Sequence, residues 1–215
     1  MTKIGVFDSG IGGLSVARAI EKALPNDTVI FACDKQHMPY GDKSPQEVLG
    51  FVVPILEHLA AEGCQVIVIA CNTVTTTLIE ELRHRISVPL VGIEPMVKTA
   101  AEQTKSGIIA VCATPATLKS SRYAWLKETY APGLRVLEPD CSTWAYMVEH
   151  DQIKEQQLRQ QIDEVCSQGA DVIVLGCTHY HWIRGVIQEM AGQKVAVIQP
   201  EQAVIKRLKQ VLGRG

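Results

Sequence analysis

At 215 residues, 47% of them apolar and 20% charged, the chain can bury a substantial core as one large or two small domains. A net charge of −2 supplies no long-range attraction for nucleic acid or an anionic membrane, and no stretch approaches the roughly 20 apolar residues of a membrane span. Met1-Thr2-Lys3-Ile4 enters a strand directly, so no signal peptide is expected, and seven cysteines without a CxxC pair suit free thiols in a reducing cytoplasm.

Apolar, β-branched runs alternate with helical patterns along the whole chain. Strands are predicted to begin near Ile4, Thr28, Val66, Val88, Ile108, Arg135, Val172 and Val195. Helices are predicted over 14–24, 45–62, 75–86, 117–130, 147–167, 182–190 and 201–212, with Pro54 kinking or splitting the second. The last four strands follow the first four after 104, 107, 106 and 107 residues. So constant a spacing indicates a duplication. The expected architecture is α/β: two similar doubly wound domains with mainly parallel sheets, pseudo-twofold related, with the active site in the cleft between them. The expected division is 1–103 and 104–215, with the C-terminal segment free to cross back.

The duplication places two cysteines at matched points. Gly63-Cys64-Gln65-Val66-Ile67-Val68-Ile69-Ala70 leads to Cys71-Asn72-Thr73, and Gly169-Ala170-Asp171-Val172-Ile173-Val174-Leu175-Gly176 leads to Cys177-Thr178-His179. Each phrase reads as a buried strand delivering a thiol at its carboxyl end, where open α/β sheets bind ligands. Paired thiols suit a reaction needing one acid and one base on opposite sides of a substrate. Racemisation at a carbon bearing a weakly acidic proton is such a reaction. A helix N-terminus lowers a thiol's pKa from its usual ~8.5, whereas burial raises it, so the two effects compete at Cys71 and Cys177. Cys33, Cys64, Cys112 and Cys166 read as small buried hydrophobes.

Four blocks carry a family resemblance. Ile4-Gly5-Val6-Phe7-Asp8-Ser9-Gly10-Ile11-Gly12-Gly13-Leu14, Pro39-Tyr40-Gly41, Ala70-Cys71-Asn72-Thr73 and Leu175-Gly176-Cys177-Thr178-His179-Tyr180 occur in this order. Together they resemble the signatures of the aspartate/glutamate racemases, and of glutamate racemases within them. Val91-Gly92-Ile93-Glu94-Pro95 and Thr114-Pro115-Ala116-Thr117 add support. The resemblance implies a cofactor-independent isomerase that interconverts L- and D-glutamate for peptidoglycan. It implies no metal, a small amino acid as partner, no nucleic acid or membrane, and compatibility with a homodimer. It further implies that Cys71 takes the proton from D-glutamate and Cys177 from L-glutamate, with Asp8 and His179 assisting. Asp8, Ser9, Tyr40, Gly41, Asn72, Thr73, Thr117, Thr178, His179 and Glu149 match substrate-binding positions. Four stretches depart from the family pattern: Val74, His181 (expected at a surface or lid position), Lys35-Gln36-His37-Met38 before Pro39, and Ile198-Gln199-Pro200-Glu201.

The residues alone are compatible with this. Hydroxyls and helix N-terminal amides bind carboxylates without a lysine or arginine, and Asp8 can receive an ammonium. Plain readings stand beside these roles. Asp8, Ser9 and Thr73 can be helix N-caps, His179 a buried structural histidine, and Tyr40 a turn residue. Gly10-Ile11-Gly12-Gly13 after a strand invites a dinucleotide site, but Ser15 stands where the third glycine of GxGxxG belongs. Zinc held by Cys71, Cys177 and His179 lacks paired ligand spacing, and no lysine is singled out for a pyridoxal Schiff base. The remaining alternatives are a racemase or isomerase of the same superfamily acting on aspartate or another amino acid, and a catalytically silent homologue.

Overall fold

The computed structural model describes residues 1–214. The chain divides into two compact units. One comprises Met1–Glu94 together with the segment from Pro200 onward, and the other is Pro95–Gln199. No helix among the described residues is long and apolar enough to cross a membrane.

The first unit runs β1 (Lys3–Asp8), α1 (Leu14–Ala23), β2 (Thr28–Cys33), α2 (Pro45–Ala61), β3 (Val66–Ile69), α3 (Asn72–Arg85) and β4 (Leu90–Gly92). Its strands form a parallel sheet in the order β2-β1-β3-β4. All four residues of β3 are buried, as a strand covered on both faces requires. The alternation is strict. Ile67 and Ile69 pack with Val52, Leu56, Leu78 and Leu82 of α2 and α3, while Val66 and Val68 pack with Val16 and Ile20 of α1.

The second unit runs α4 (Val97–Gln103), β5 (Ile108–Ala113), α5 (Pro115–Lys119), α6 (Ser121–Tyr130), β6 (Arg135–Leu137), α7 (Trp144–Glu149), α8 (Glu155–Ser167), β7 (Val172–Gly176), α9 (Thr178–His181), α10 (Arg184–Ala191) and β8 (Ala196–Ile198). The order β6-β5-β7-β8, again parallel, repeats the first sheet strand for strand. Ile173 and Leu175 face Leu158, Ile162 and Ile187 of α8 and α10. Val172 and Val174 face Val97, Tyr123 and Leu126 of α4 and α6. The last helix, α11 (Glu201–Val211), returns to the first unit. There Val204 and Leu208 join the α1 face of the sheet. The observed units therefore change over at Glu94/Pro95 rather than near residue 103, because α4 covers the second sheet, and the chain crosses back at Gln199/Pro200.

The duplicated glycines have a physical reason. Gly63 (φ 85°) and Gly169 (φ 92°) both adopt the left-handed conformation that ends a helix. At each, a pair of backbone bonds closes the preceding helix: Gly63 N–H to Ala60 and Cys64 N–H to Leu59, then Gly169 N–H to Cys166 and Ala170 N–H to Val165.

Several helical expectations are corrected. α2 is not split at Pro54 but continues as one helix from Pro45 to Ala61. Gly50, whose carbonyl loses its partner there, is exposed and so open to water. Helix 117–130 is two helices, because Ser120 adopts extended geometry and its hydroxyl caps Tyr123 N–H. Helix 147–167 is also two, interrupted at Asp151 with φ 53°. α3 begins three residues earlier than periodicity indicated, immediately after Cys71, and α9 occupies residues expected to precede the helix at 182.

Candidate active site

In each sheet the chain reverses its direction of strand addition once: between β1 and β3 in the first, and between β5 and β7 in the second. The carboxyl ends of strands at such a switch point diverge and leave a crevice for ligands. Asp8, Cys71 and Cys177 fall at these ends, whereas Tyr40 and Gly41 lie beyond β2 and Glu149 in α7.

In the first unit, β1 ends at Asp8 and β3 leads through Ala70 to Cys71. Asp8 is fully buried, and its Oδ2 accepts from Gly13 N–H at 2.9 Å and Gly10 N–H at 3.4 Å. Gly13 is required here, since a Cβ would stand 2.5 Å from Cβ of Asp8. The glycine loop thus wraps a carboxylate of its own chain. Two of the amides that a dinucleotide's phosphates would need are already taken.

Cys71 is buried at the N-cap of α3, and its thiol donates to Ser9 Oγ at 3.6 Å. Burial and then the negative charge of Asp8 push the thiol up to about 12, against the opposing pull of the Val74 and Thr73 amides and Ser9. Desolvation therefore outweighs the helix N-terminus, and Cys71 rests as a thiol. Beside it, Asn72 is buried with no hydrogen-bond partner for Nδ2. Such an orphan donor costs on the order of 1–3 kcal/mol unless a ligand satisfies it. Thr73 is buried in the same turn. Tyr40 is buried and donates its hydroxyl to Asp34 at 2.7 Å, while a Cβ on the neighbouring Gly41 would meet no atom within 4 Å.

In the second unit, β7 delivers Cys177 to the N-cap of the one-turn helix α9. Cys177 Sγ lies 3.8 Å from His179 Nδ1, and His179 Nε2 lies 2.7 Å from Glu149 Oε2. His179 is buried and Glu149 nearly so, with 9% of its side chain exposed. With Glu149 accepting from Nε2–H, the lone pair on Nδ1 faces the thiol. α9 is itself anchored: the Tyr180 hydroxyl donates to the Cys141 carbonyl at 2.9 Å, and its ring meets Trp144 edge-on. Thr178 is buried in α9. At the end of β5, Thr117 is fully buried, and the Thr114 side chain bonds both its N–H and its hydroxyl.

Three features were not legible in the sequence. Glu149, matched as a substrate residue, also meets His179, an ion-pair contact across 30 residues that no spacing announced. His181, expected at the surface or in a lid, is buried, since every residue of α9 is enclosed. Asp34, the acid directly after β2 that a dinucleotide reading would use, instead accepts from Tyr40 and lies beside His37. Among the described residues no group of three or more His, Cys, Asp or Glu side chains is gathered to hold a metal.

The comparisons identify the family. The family model described as Asp/Glu/Hydantoin racemase matches residues 4–208. A glutamate racemase of Ectopseudomonas mendocina is 38% identical over 216 aligned residues, covering 98% of this chain and 82% of the relative. The crystal structure of Escherichia coli glutamate racemase in complex with L-glutamate and the activator UDP-MurNAc-ala superposes with a TM-score of 0.92 at 28% identity, covering 99% of this chain and 82% of that one. Glutamate racemase from Francisella tularensis in complex with D-glutamate gives 0.82 at 28% identity, with 99% and 81% covered. The sheet order, the thiol at each switch point and the match over nearly the whole length lead to one conclusion: the chain belongs to the Asp/Glu/hydantoin racemase family.

Proposed function

We propose that the chain is a glutamate racemase, an isomerase that needs no cofactor and uses Cys71 and Cys177 as its acid and base. The observation that carries this reading is the pair of buried thiols, each at the switch point of its own sheet. The likeness to proteins crystallised with L- and D-glutamate selects the substrate.

The resting proton state of Cys71 suits entry of L-glutamate. Cys71, titrating near 12, holds its proton at neutral pH and serves as the acid. Cys177 has an imidazole beside it, and Glu149 on the far nitrogen stabilises the imidazolium formed when His179 takes the thiol proton. The Cys177 thiolate removes the Cα proton: the Cα–H bond breaks and an S–H bond forms. The Cys71 S–H bond then breaks, and its proton is delivered to the other face of the planar carbanion. D-Glutamate leaves, with Cys71 as thiolate and Cys177 as thiol. The reverse reaction begins from that state, with Cys71 as base. Asn72 Nδ2, Thr73, Thr117, Thr178 and the α3 N-terminal amides bind the substrate carboxylates, Ser9 and Gly41 border them, and Asp8 receives the ammonium. The product serves peptidoglycan synthesis in the cytoplasm.

Chiral chromatography of purified protein incubated with L-glutamate, L-aspartate and neutral amino acids, without added metal or pyridoxal phosphate, tests the reading. Equal L- and D-glutamate is expected, with Cα deuteration in deuterated water. Preferential racemisation of another amino acid moves the substrate assignment, and no exchange with any of them removes the activity.

A further inference from the structure

Tyr40 stands in the proposed substrate site, yet its hydroxyl proton is already committed. The hydroxyl donates at 2.7 Å to Oδ2 of Asp34, and both residues are buried. The same carboxylate has a second partner, because His37 Nδ1 lies 2.9 Å from each of its oxygens. The imidazole is held in turn by Phe51 of α2, stacked at 3.9 Å between centroids and 6° between planes. The Tyr40 ring also meets Phe51, at 6.5 Å and 31°. Asp34 therefore gathers two side chains of its own loop, and that loop is braced against α2. A phenol has a single proton to donate, so this hydroxyl has none left for a substrate carboxylate. His37 touches the carboxylate and Phe51 and lies in the stretch where this chain departs from the family pattern.

We infer that Asp34 and His37 are positioning residues for glutamate binding, which fix the Tyr40 ring and the Tyr40–Gly41 backbone while the Tyr40 hydroxyl serves as their anchor rather than as a substrate donor. The inference rests on the racemase reading and adds to it a device that acts on binding rather than on proton transfer.

The test compares Asp34→Asn, Tyr40→Phe, their double variant, His37→Ala and His37→Asn in the full chain. KM and kcat are measured for both enantiomers. Binding is read a second way, as the glutamate concentration that half-protects Cys71 from iodoacetamide at alkaline pH. Asp34→Asn and Tyr40→Phe should each raise KM and the half-protecting concentration about tenfold, the worth of one hydrogen bond to a charged group, with kcat nearly unchanged. The double variant should be no worse than Asp34→Asn, since both act through one contact. His37→Ala should raise KM by a smaller factor, and His37→Asn, whose amide can donate from the same place, should restore it. If Asp34→Asn does not fold, the His37 pair decides alone. Unchanged KM in Asp34→Asn and His37→Ala, or multiplying effects in the double variant, overturns the inference while wild-type turnover keeps the racemase reading. Absence of exchange in the wild type instead overturns that reading, and this inference with it.

Discussion

The two units share a sheet order and deliver a cysteine from the same strand position, but the thiols have different surroundings. In the first unit burial and the charge of Asp8 keep Cys71 protonated, against the pull of the Ser9 hydroxyl and the Thr73 and Val74 amides. In the second, Cys177 meets an imidazole backed by a carboxylate. The duplicated backbone fixes where a thiol arrives. In the proposed mechanism the neighbouring side chains decide which thiol rests as acid and which as base. A reaction that runs both ways needs matched positions, and a preferred resting state needs unmatched neighbours.

The sharpest way to break this comparison is to remove one thiol at a time. Cys71→Ala and Cys177→Ala should each lower racemisation in both directions by about 10³-fold or more, within the usual range for loss of a general acid or base, as read by chiral chromatography. Near-normal turnover in either would end the two-thiol mechanism.

The next effect is on stability at high pH. Cys71 titrates near 12 when folded, against an ordinary value of 9.0. Between those values the folded protein keeps a proton that the unfolded chain has lost, so stability falls as pH rises through this window, by up to about 4 kcal/mol in total. Below pH 9 this group makes no difference. Denaturant melts at pH 8 and pH 11 should show a smaller alkaline loss in Cys71→Ala than in wild type.

Neighbour changes should then move the two thiols apart. Asp8→Asn removes the charge that helps hold Cys71 up, so alkylation of Cys71 near pH 9 should speed up by about tenfold, or one pKa unit, when followed by mass spectrometry. Glu149→Gln should lower kcat/KM about tenfold. The loss must be equal for L- and D-glutamate, because the equilibrium constant of a racemisation is one. The sign of the asymmetry therefore appears elsewhere, as a larger isotope effect with Cα-deuterated L-glutamate than with its D-enantiomer.

The smallest expected effect concerns packing. Gly13→Ala places a Cβ against Asp8 and should cost roughly 1–3 kcal/mol. Gly133→Ala, at φ 80° in an open turn of the second unit, should cost only about 1 kcal/mol from its backbone conformation. Thermal melts of the two variants check this order.

Much of this was legible in the amino-acid order because it is local. Val66–Ile69 and Val172–Gly176 are uninterrupted apolar runs that only a doubly covered parallel strand can bury. Gly63 and Gly169 mark the left-handed turns before them, so the sequence determined the α/β class, the duplication and the place of each thiol. It could not settle quantities that depend on side chains distant along the chain. The helix N-terminus and burial pull a thiol in opposite directions, and only the packed neighbours of Cys71 decide that burial wins. Glu149 reaches His179 across 30 residues, through a break at Asp151 that no periodicity announced. The tertiary structure likewise turned Asp34 from the end of a strand into the anchor of Tyr40 and His37, since a hydrogen bond depends on where folded segments meet rather than on their spacing in the chain.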